Sequence, residues 1–393
     1  MEQFPRSAYT DTDIKQAGKV IADQVLWTDE TAPMIRQAFT VANSWRDSHA
    51  FPMRSIRHSI IHYMRQVEVQ GISAARLKRM RAIRMKLKRS PVELHKLQDL
   101  GGCRFILPTI ADVHKLTGIL KAQLPHTLRS ERNYIADAKP DGYRSHHMMY
   151  TYVGRKGRII YDRRRIEVQI RTRLQHSWAT SVEAVGLFRG EQLKNHQGSE
   201  EWLRIFALMS GEFAEVEGCE PPVSVPGEAE RRREICDLAK SLDALQVLES
   251  VSYGFTGADI PVAADYRPTH YLIRYDHAQK TVRVEPYRMP LLATRSYDIA
   301  EELDNRTGGD TQNVVLVEVD KIDNLKAAYP NYFGDVTLFK EQLRLVTKGQ
   351  SAVEYGIAER SAPVPDTRQR IDLSWLRGSR FAKPNLSRRR IGD

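Results

Sequence analysis

The stretch RRIEVQIRT, residues 164–172, constrains the fold more than any other part of the chain. In an extended strand successive side chains point to opposite faces. Ile166, Val168 and Ile170 therefore share one face, and Glu167, Gln169 and Arg171 share the other. The first face needs a core to cover it. The second sets a carboxylate, an amide and a guanidinium in a row. It reads as the solvated side of an edge strand, the simpler reading from alternation alone, or as a surface that handles a polar ligand.

The flanking segments place this strand in a mixed fold. Residues 13 to about 68 read as helical: DIKQAGKVIADQVL and APMIRQAFTVANSW carry apolar residues at three- and four-residue steps, with Thr12 or Asp13 as N-cap. In ISAARLKRMRAIRMKLKRS, Leu77, Met80, Ile83 and Leu87 line one helical stripe among arginines and lysines. LQDLGGCRFIL suits a strand, and ADVHKLTGILKAQL an amphipathic helix. HHMMYTYVGRKGRIIYDRRRIEVQI reads as a hairpin turning at Gly154 to Gly157, and QHSWATSVEAVGL and EEWLRIFALMSGEFAEVE return to helix.

The predicted fold class is α+β. A sheet with antiparallel content is flanked by helices, and a smaller α+β domain follows. The expected divisions are an N-terminal helical region (1–68), a first domain (69–218), a Pro- and Gly-rich linker (219–230), a second domain (231–348) and a basic, disordered tail (349–393).

A net charge of +11 and a pI near 9.5 point to anionic partners. Cys103, Cys219 and Cys236 are odd in number and far apart, which excludes a cysteine-built zinc site or a disulfide framework. No apolar run approaches the ~20 residues that cross a bilayer, and the start lacks a secretory layout. A cytoplasmic protein without a membrane partner is expected. The chain has no G-x-x-x-x-G-K-[ST] loop, no H-E-x-x-H and no glycine-rich dinucleotide turn, so nucleotide chemistry would need another cradle.

Three further segments could supply one. Asp99 stands five residues before Arg104, and a bulge at Gly101–Gly102 would bring the two together; an acid there suits Mg²⁺. Arg76, Lys78, Lys86 and Arg89 belong to a span with eight Arg or Lys in fourteen positions, a match for a phosphate chain or a nonspecific basic face. KPDGYRSHH, residues 139–147, packs Lys139, Tyr143 and His147 around a turn.

Taken in order, RLKRMRAIRMKLKR, DLGGCR, KPDGYRSHH, EVQIRT and HSWA resemble the synthetase domain of the RelA/SpoT family, over roughly residues 70 to 180. The resemblance implies an ATP-dependent pyrophosphokinase. Arg76, Lys78, Lys86, Arg89 and Arg104 would hold ATP, and Asp99 and Glu167 would hold Mg²⁺. Glu167 would take the proton from an attacking 3′-hydroxyl. Tyr143 would stack on the acceptor base, with Arg132, Lys139, His147, Gln169 and Arg171 around the acceptor.

No His-Asp dipeptide occurs, so the hydrolase activity of the family's longer members is not expected. AAYPNYFGD, with Tyr329 and Tyr332, looks like the CapRel group of fused toxin–antitoxin proteins. That likeness implies a tRNA 3′ end as acceptor, a C-terminal domain whose tyrosines obstruct the ATP site, and a phage protein as trigger. Outside that family, two tyrosines so spaced are simply core residues. The alternatives are a (p)ppGpp synthetase acting on GDP or GTP, and a non-catalytic RNA-binding module.

Overall fold

The computed structural model describes residues 4–23, 28–155, 158–189, 191, 193, 198–254, 268–276, 281–306, 312–319, 322–329 and 335–354. Three helices come first: α1 (Asp11–Ala22), α2 (Ala32–Asp47) and α3 (Ala50–Gln66). The N-cap of α1 is Thr10 rather than Thr12 or Asp13. Its hydroxyl accepts from the Asp13 amide while the Asp13 carboxylate accepts from the Thr10 amide, a capping box.

The basic stretch divides into two elements. Ile72–Leu77 is strand β1, and helix α4 covers only Met80–Arg89. The expected helical stripe keeps Met80, Ile83 and Leu87, all buried, but loses Leu77 to the strand. Pairing on both edges explains the change. β1 runs antiparallel to β2 (Gly101–Leu107) along its whole length, and antiparallel to β8 (Gln312–Glu318) at Ala75 and Arg76. Ladder bonds on both sides outweigh a weak local helix preference.

The remaining strands are β3 (Thr127–Asn133), β4 (His146–Thr151), β5 (Arg165–Thr172), β6 (His270–Asp276) and β7 (Thr281–Tyr287). All eight form one mixed sheet in the order β3-β4-β5-β2-β1-β8-β6-β7, with β2 and β5 parallel and the other neighbours antiparallel. The RIEVQIRT strand is therefore central, between β4 and β2, and its polar face is not a solvated edge. Residues 152–164 connect β4 to β5 and hold a 3₁₀ turn at Ile159–Tyr161, so the connection is longer than a tight hairpin.

Ile166, Val168 and Ile170 are fully buried in a core shared with α3 and with α5 (Ile110–Gln123), where Ile56, Phe105 and Leu116 meet them. A second core covers the opposite side of the sheet. It is built from α6 (Arg173–Arg189), α7 (Glu200–Val216), α8 (Glu228–Ser241), α9 (Ala244–Gly254) and the C-terminal elements. Those are α11 (Ile322–Ala328) and α12 (Thr337–Thr347), whereas Tyr297 and Ala300 of α10 (Pro290–Arg306) pack with Leu272 and Val314 in a separate cluster. Phe206 of α7 stacks on Phe339 of α12 at 5.2 Å. The segment after residue 230 thus adds three strands to the sheet and side chains to the same core. Of the tail expected over 349–393, residues from 355 onward lie outside the described residues. Among the described residues no helix is long and apolar enough to cross a membrane.

A buried ionic cluster ties the first helices to α10. The Arg46 guanidinium is fully buried and reaches Asp47 at 2.9 Å, Asp298 at 2.7 Å and Glu301 at 2.9 Å. Glu301 also accepts from the Met80 amide at 2.6 Å and the Tyr297 hydroxyl at 2.7 Å. It therefore caps α4, whose own N-cap residue, Arg79, makes no side-chain cap. Burial pushes the Asp47 carboxyl up to about 7, against the pull of Arg46.

Removing one partner of a buried pair leaves charge uncompensated. Arg46→Ala is expected to lower the unfolding free energy by ~3–5 kcal/mol, read from urea denaturation. Asp47 also carries a pH signature. With a folded value of about 7 and an unfolded value near ~4, the native state holds the extra proton across that window. This group's contribution to stability is therefore present at the acid end and falls as pH rises through the window. Asp47→Asn should flatten that part of a stability–pH curve.

Candidate functional site

Sheet register assembles the site. Because β2 and β5 are parallel, Gly102 lies beside Glu167 and Arg104 beside Gln169. β1 puts Arg76 opposite Gly102, and β4 puts His147 opposite Gln169. β3 places Arg132 opposite His147. Side chains that alternate outward from the apolar core thus converge on one face from five adjacent strands.

No bulge interrupts β2 at Gly101–Gly102; the ladder runs unbroken from Gly101 to Leu107, which corrects that expectation. Asp99 instead stands before the strand, near the start of α4, and the lysines come to it. Lys78 Nζ donates to Asp99 Oδ2 at 2.9 Å and Lys86 Nζ to the same oxygen at 2.8 Å. Burial raises the Asp99 carboxyl, but the two ammonium groups outweigh it and hold it below the usual value. Its other oxygen, Oδ1, is buried without a hydrogen-bond partner. Arg89, one turn beyond Lys86, is exposed.

Glu167 is held at both oxygens. His147 Nδ1 lies 3.0 Å from Oε1, and Gln169 Nε2 donates to Oε2 at 2.9 Å. Burial raises this carboxyl, yet His147 and Gln169 outweigh it and leave it below the ordinary value. Asp99 is close enough to oppose that lowering. The two acids therefore share one electrostatic environment.

The turn of KPDGYRSHH stands beside them. Gly142 takes φ +94° and its carbonyl accepts from Ser210 Oγ at 2.6 Å; a Cβ there would meet Ser210 at 2.9 Å. Arg144, in the same turn, forms a buried pair with Glu217 at 2.8 Å. Tyr143 hydrogen-bonds His147 Nε2 at 2.8 Å. Lys139 Nζ sits 4.9 Å from the ring centre of Tyr134 and 5.1 Å from that of Tyr143. Arg132 Nη1 reaches the Tyr134 hydroxyl at 3.3 Å. His146 faces away, bonded to Glu131 at 2.7 Å.

The third wall is C-terminal. Tyr329 is buried, with the Arg76 guanidinium 5.6 Å and the Arg104 guanidinium 5.3 Å from its ring centre. Arg104 Nη1 donates to the Ala328 carbonyl at 3.0 Å, and His176 Nε2 lies 2.9 Å from the Ala327 carbonyl. Arg171 contacts His176 Nδ1 at 2.5 Å; burial and the neighbouring Arg104 bring its guanidinium down to about 9. Tyr332 lies outside the described residues.

Sequence reasoning had missed Tyr134 and His176. Tyr134 follows a strand whose single apolar residue is Leu128, and HSWA by itself gives its histidine no role. Among the described residues no group of three or more His, Cys, Asp or Glu side chains is placed to hold a metal. Two carboxylates do fit Mg²⁺, which takes one or two from a protein and completes its shell with water and substrate phosphate. The partnerless Asp99 Oδ1 is the oxygen such an ion would take.

Residues 75–191 match the family model described as "Region found in RelA / SpoT proteins". The chain is 31% identical over 112 residues to GTP pyrophosphokinase YjbM of Bacillus subtilis (strain 168), covering 27% of this chain and 51% of that protein. It is 33% identical over 111 residues to a GTP pyrophosphokinase of Haemophilus influenzae, covering 28% of this chain and 13% of that protein. The chain thus spans about half the length of YjbM. Among solved structures, small alarmone synthetase 2 from Bacillus subtilis aligns with 42% of this chain and 88% of its own, at 22% identity and a TM-score of 0.37. Small alarmone synthetase 1 from the same species, bound to its product pppGpp, aligns with 43% and 93%, at 21% identity and a TM-score of 0.35.

Proposed function

We propose that the chain is an ATP-dependent pyrophosphokinase, moving the β,γ-pyrophosphate of ATP to a ribose 3′-hydroxyl. The observation that carries this reading is the pairing of Asp99 and Glu167 within one ring of cations. A binding surface for polyanions has no use for two ionised acids at its centre; a phosphoryl-type transfer does. In this reading Lys78, Lys86 and Arg89 neutralise the triphosphate, and Arg76 and Arg104 stack on adenine. Asp99 and Glu167 hold Mg²⁺, which when bound offsets charge on the phosphates. Glu167 accepts the 3′-hydroxyl proton, and AMP departs.

For the acceptor we propose the 3′ end of a tRNA. Arg165 lies two residues before Glu167 on the same face of β5, and Arg129 and Arg163 stand close enough to depress its guanidinium beyond the effect of burial. Three like charges crowded beside the reaction face suit an RNA backbone. A guanine nucleotide is the second reading, supported by the names of the matching relatives, GTP pyrophosphokinases, and by Tyr143 as a base platform. Incubating the protein with γ-labelled ATP and, separately, GDP, GTP and bulk tRNA distinguishes them by which product carries label. Glu167→Gln should abolish all transfer, and label surviving in that variant would remove Glu167 from the mechanism.

We further propose that Tyr329 occupies the place of the adenine ring, with a phage protein as the agent that withdraws it. Its support is the ring's seat between Arg76 and Arg104. Tyr329→Leu, which keeps apolar volume but removes the π face, is expected to tighten binding of a non-hydrolysable ATP analogue by roughly 3- to 30-fold. Calorimetric titration of that analogue measures it.

A further inference from the structure

Tyr143 has a ring and a hydroxyl, and His147 meets both: the ring edge-on at 5.7 Å and the hydroxyl by a hydrogen bond. The ring meets Tyr134 edge-on at 6.0 Å and Trp178 at 6.3 Å. The hydroxyl starts a chain of hydrogen bonds: Oη to His147 Nε2 at 2.8 Å, then Nδ1 to Glu167 Oε1 at 3.0 Å. An ionised carboxylate only accepts, so Nδ1 must carry a proton to donate. A neutral imidazole then leaves Nε2 as an acceptor, and the phenol donates to it. The direction of the chain is set from both ends. Burial pushes the Tyr143 phenol up, so it keeps the proton it donates.

A base platform needs only an aromatic face, and phenylalanine would provide one. The hydroxyl answers a different need. His147 is opposite Gln169 in the β4–β5 ladder, and the two side chains take one oxygen each of Glu167. A carboxylate gripped in this way cannot rotate, provided the imidazole itself is fixed.

We infer that the Tyr143 hydroxyl and His147 are positioning residues for Glu167, so that the side chain receiving the acceptor base also orients the carboxylate that takes the acceptor's proton. The inference rests on the pyrophosphokinase reading. In the step it serves, the acceptor O–H bond breaks and its proton goes to Glu167. The oxygen's electron pair forms a bond to the β-phosphorus. The bond from that phosphorus to the bridging oxygen breaks, and AMP leaves with the pair. His147 and Tyr143 keep their own protons throughout.

Two measurements on the full chain test this. In the transfer assay, Tyr143→Phe should lower kcat by about tenfold, one hydrogen bond's worth, while acceptor KM stays within about twofold. Adding Tyr143→Phe to His147→Gln should cost nothing more, since the two act through one chain. Separately, imidazole nitrogen NMR should find the Nδ1-protonated form of His147 in the parent and a mixture in Tyr143→Phe.

Unchanged nitrogen shifts overturn the inference, whether or not transfer is detected. So does a Tyr143→Phe enzyme with the parent's kcat, or one whose loss lies wholly in acceptor KM. Absence of transfer in the parent, with the shift change intact, instead sinks the pyrophosphokinase reading.

Discussion

The parallel ladder between Gly101–Leu107 and Arg165–Thr172 is the pairing on which the candidate site depends. It sets Glu167 beside Gly102 and Gln169 beside Arg104, and so fixes where the carboxylate and the guanidinium stand on the shared face. A slip of one residue would turn Glu167 into the core and Val168 out of it. The slip is opposed by three fully buried side chains, Ile166, Val168 and Ile170, worth on the order of 1.5–3 kcal/mol each in burial. Gly101 adds a steric condition. A Cβ there would come within 2.9 Å of Ile166 Cδ1, so any larger residue at the start of β2 would make the Ile166 side chain shift.

The two ends of the chain shape what lies between them. β8 zips onto the free edge of β1 at Arg76, and Glu301 of α10 caps α4, the helix that carries Lys86. Arg46 of α2 holds Glu301 in turn. One connected set of contacts therefore runs from the N-terminal helices through the C-terminal segment to the strand and helix presenting Arg76 and Lys86. Backbone carbonyls of Ala327 and Ala328 then receive His176 and Arg104 directly. Cations that would otherwise face solvent are oriented by the last third of the chain.

Much of this was legible in the sequence wherever a period was strong. The alternation over 165–172 carries the strand and the division of its faces, and THYLIRYD and TVRVEPYR, rich in Tyr, Ile, Val and Thr, pair as β6 and β7. What failed to show was long-range pairing. Ser73, Ala74 and Ala75 have no strand signature of their own, and only β2 and β8 make them extended. β3 was missed because TLRSERN, an edge strand, has Leu128 as its only apolar residue, and five exposed positions offer no alternation. The meeting of Asp99 with Lys78 and Lys86 was not legible either. It depends on the chain turning back after Leu77, where the Lys78 amide donates to the Leu100 carbonyl at 2.8 Å.

The candidate site satisfies its own charges, which bears on how it would admit a ligand. Lys78 and Lys86 rest on Asp99, Arg104 on a carbonyl, and His147 on Glu167. A ligand gains nothing by meeting cations that are already matched unless it offers more than it displaces. On the proposed reading a triphosphate with its metal would do so in two linked exchanges: Asp99 and Glu167 would hold the metal, and Lys78 and Lys86 would turn from Asp99 to phosphate. Neither exchange is favourable alone, since a bare metal would face two ammonium groups and a bare triphosphate a buried carboxylate. On the proposed reading, selectivity for the metal–nucleotide complex would follow from this arrangement, because that complex offers a cation to Asp99 and Glu167 and phosphate to Lys78 and Lys86 together.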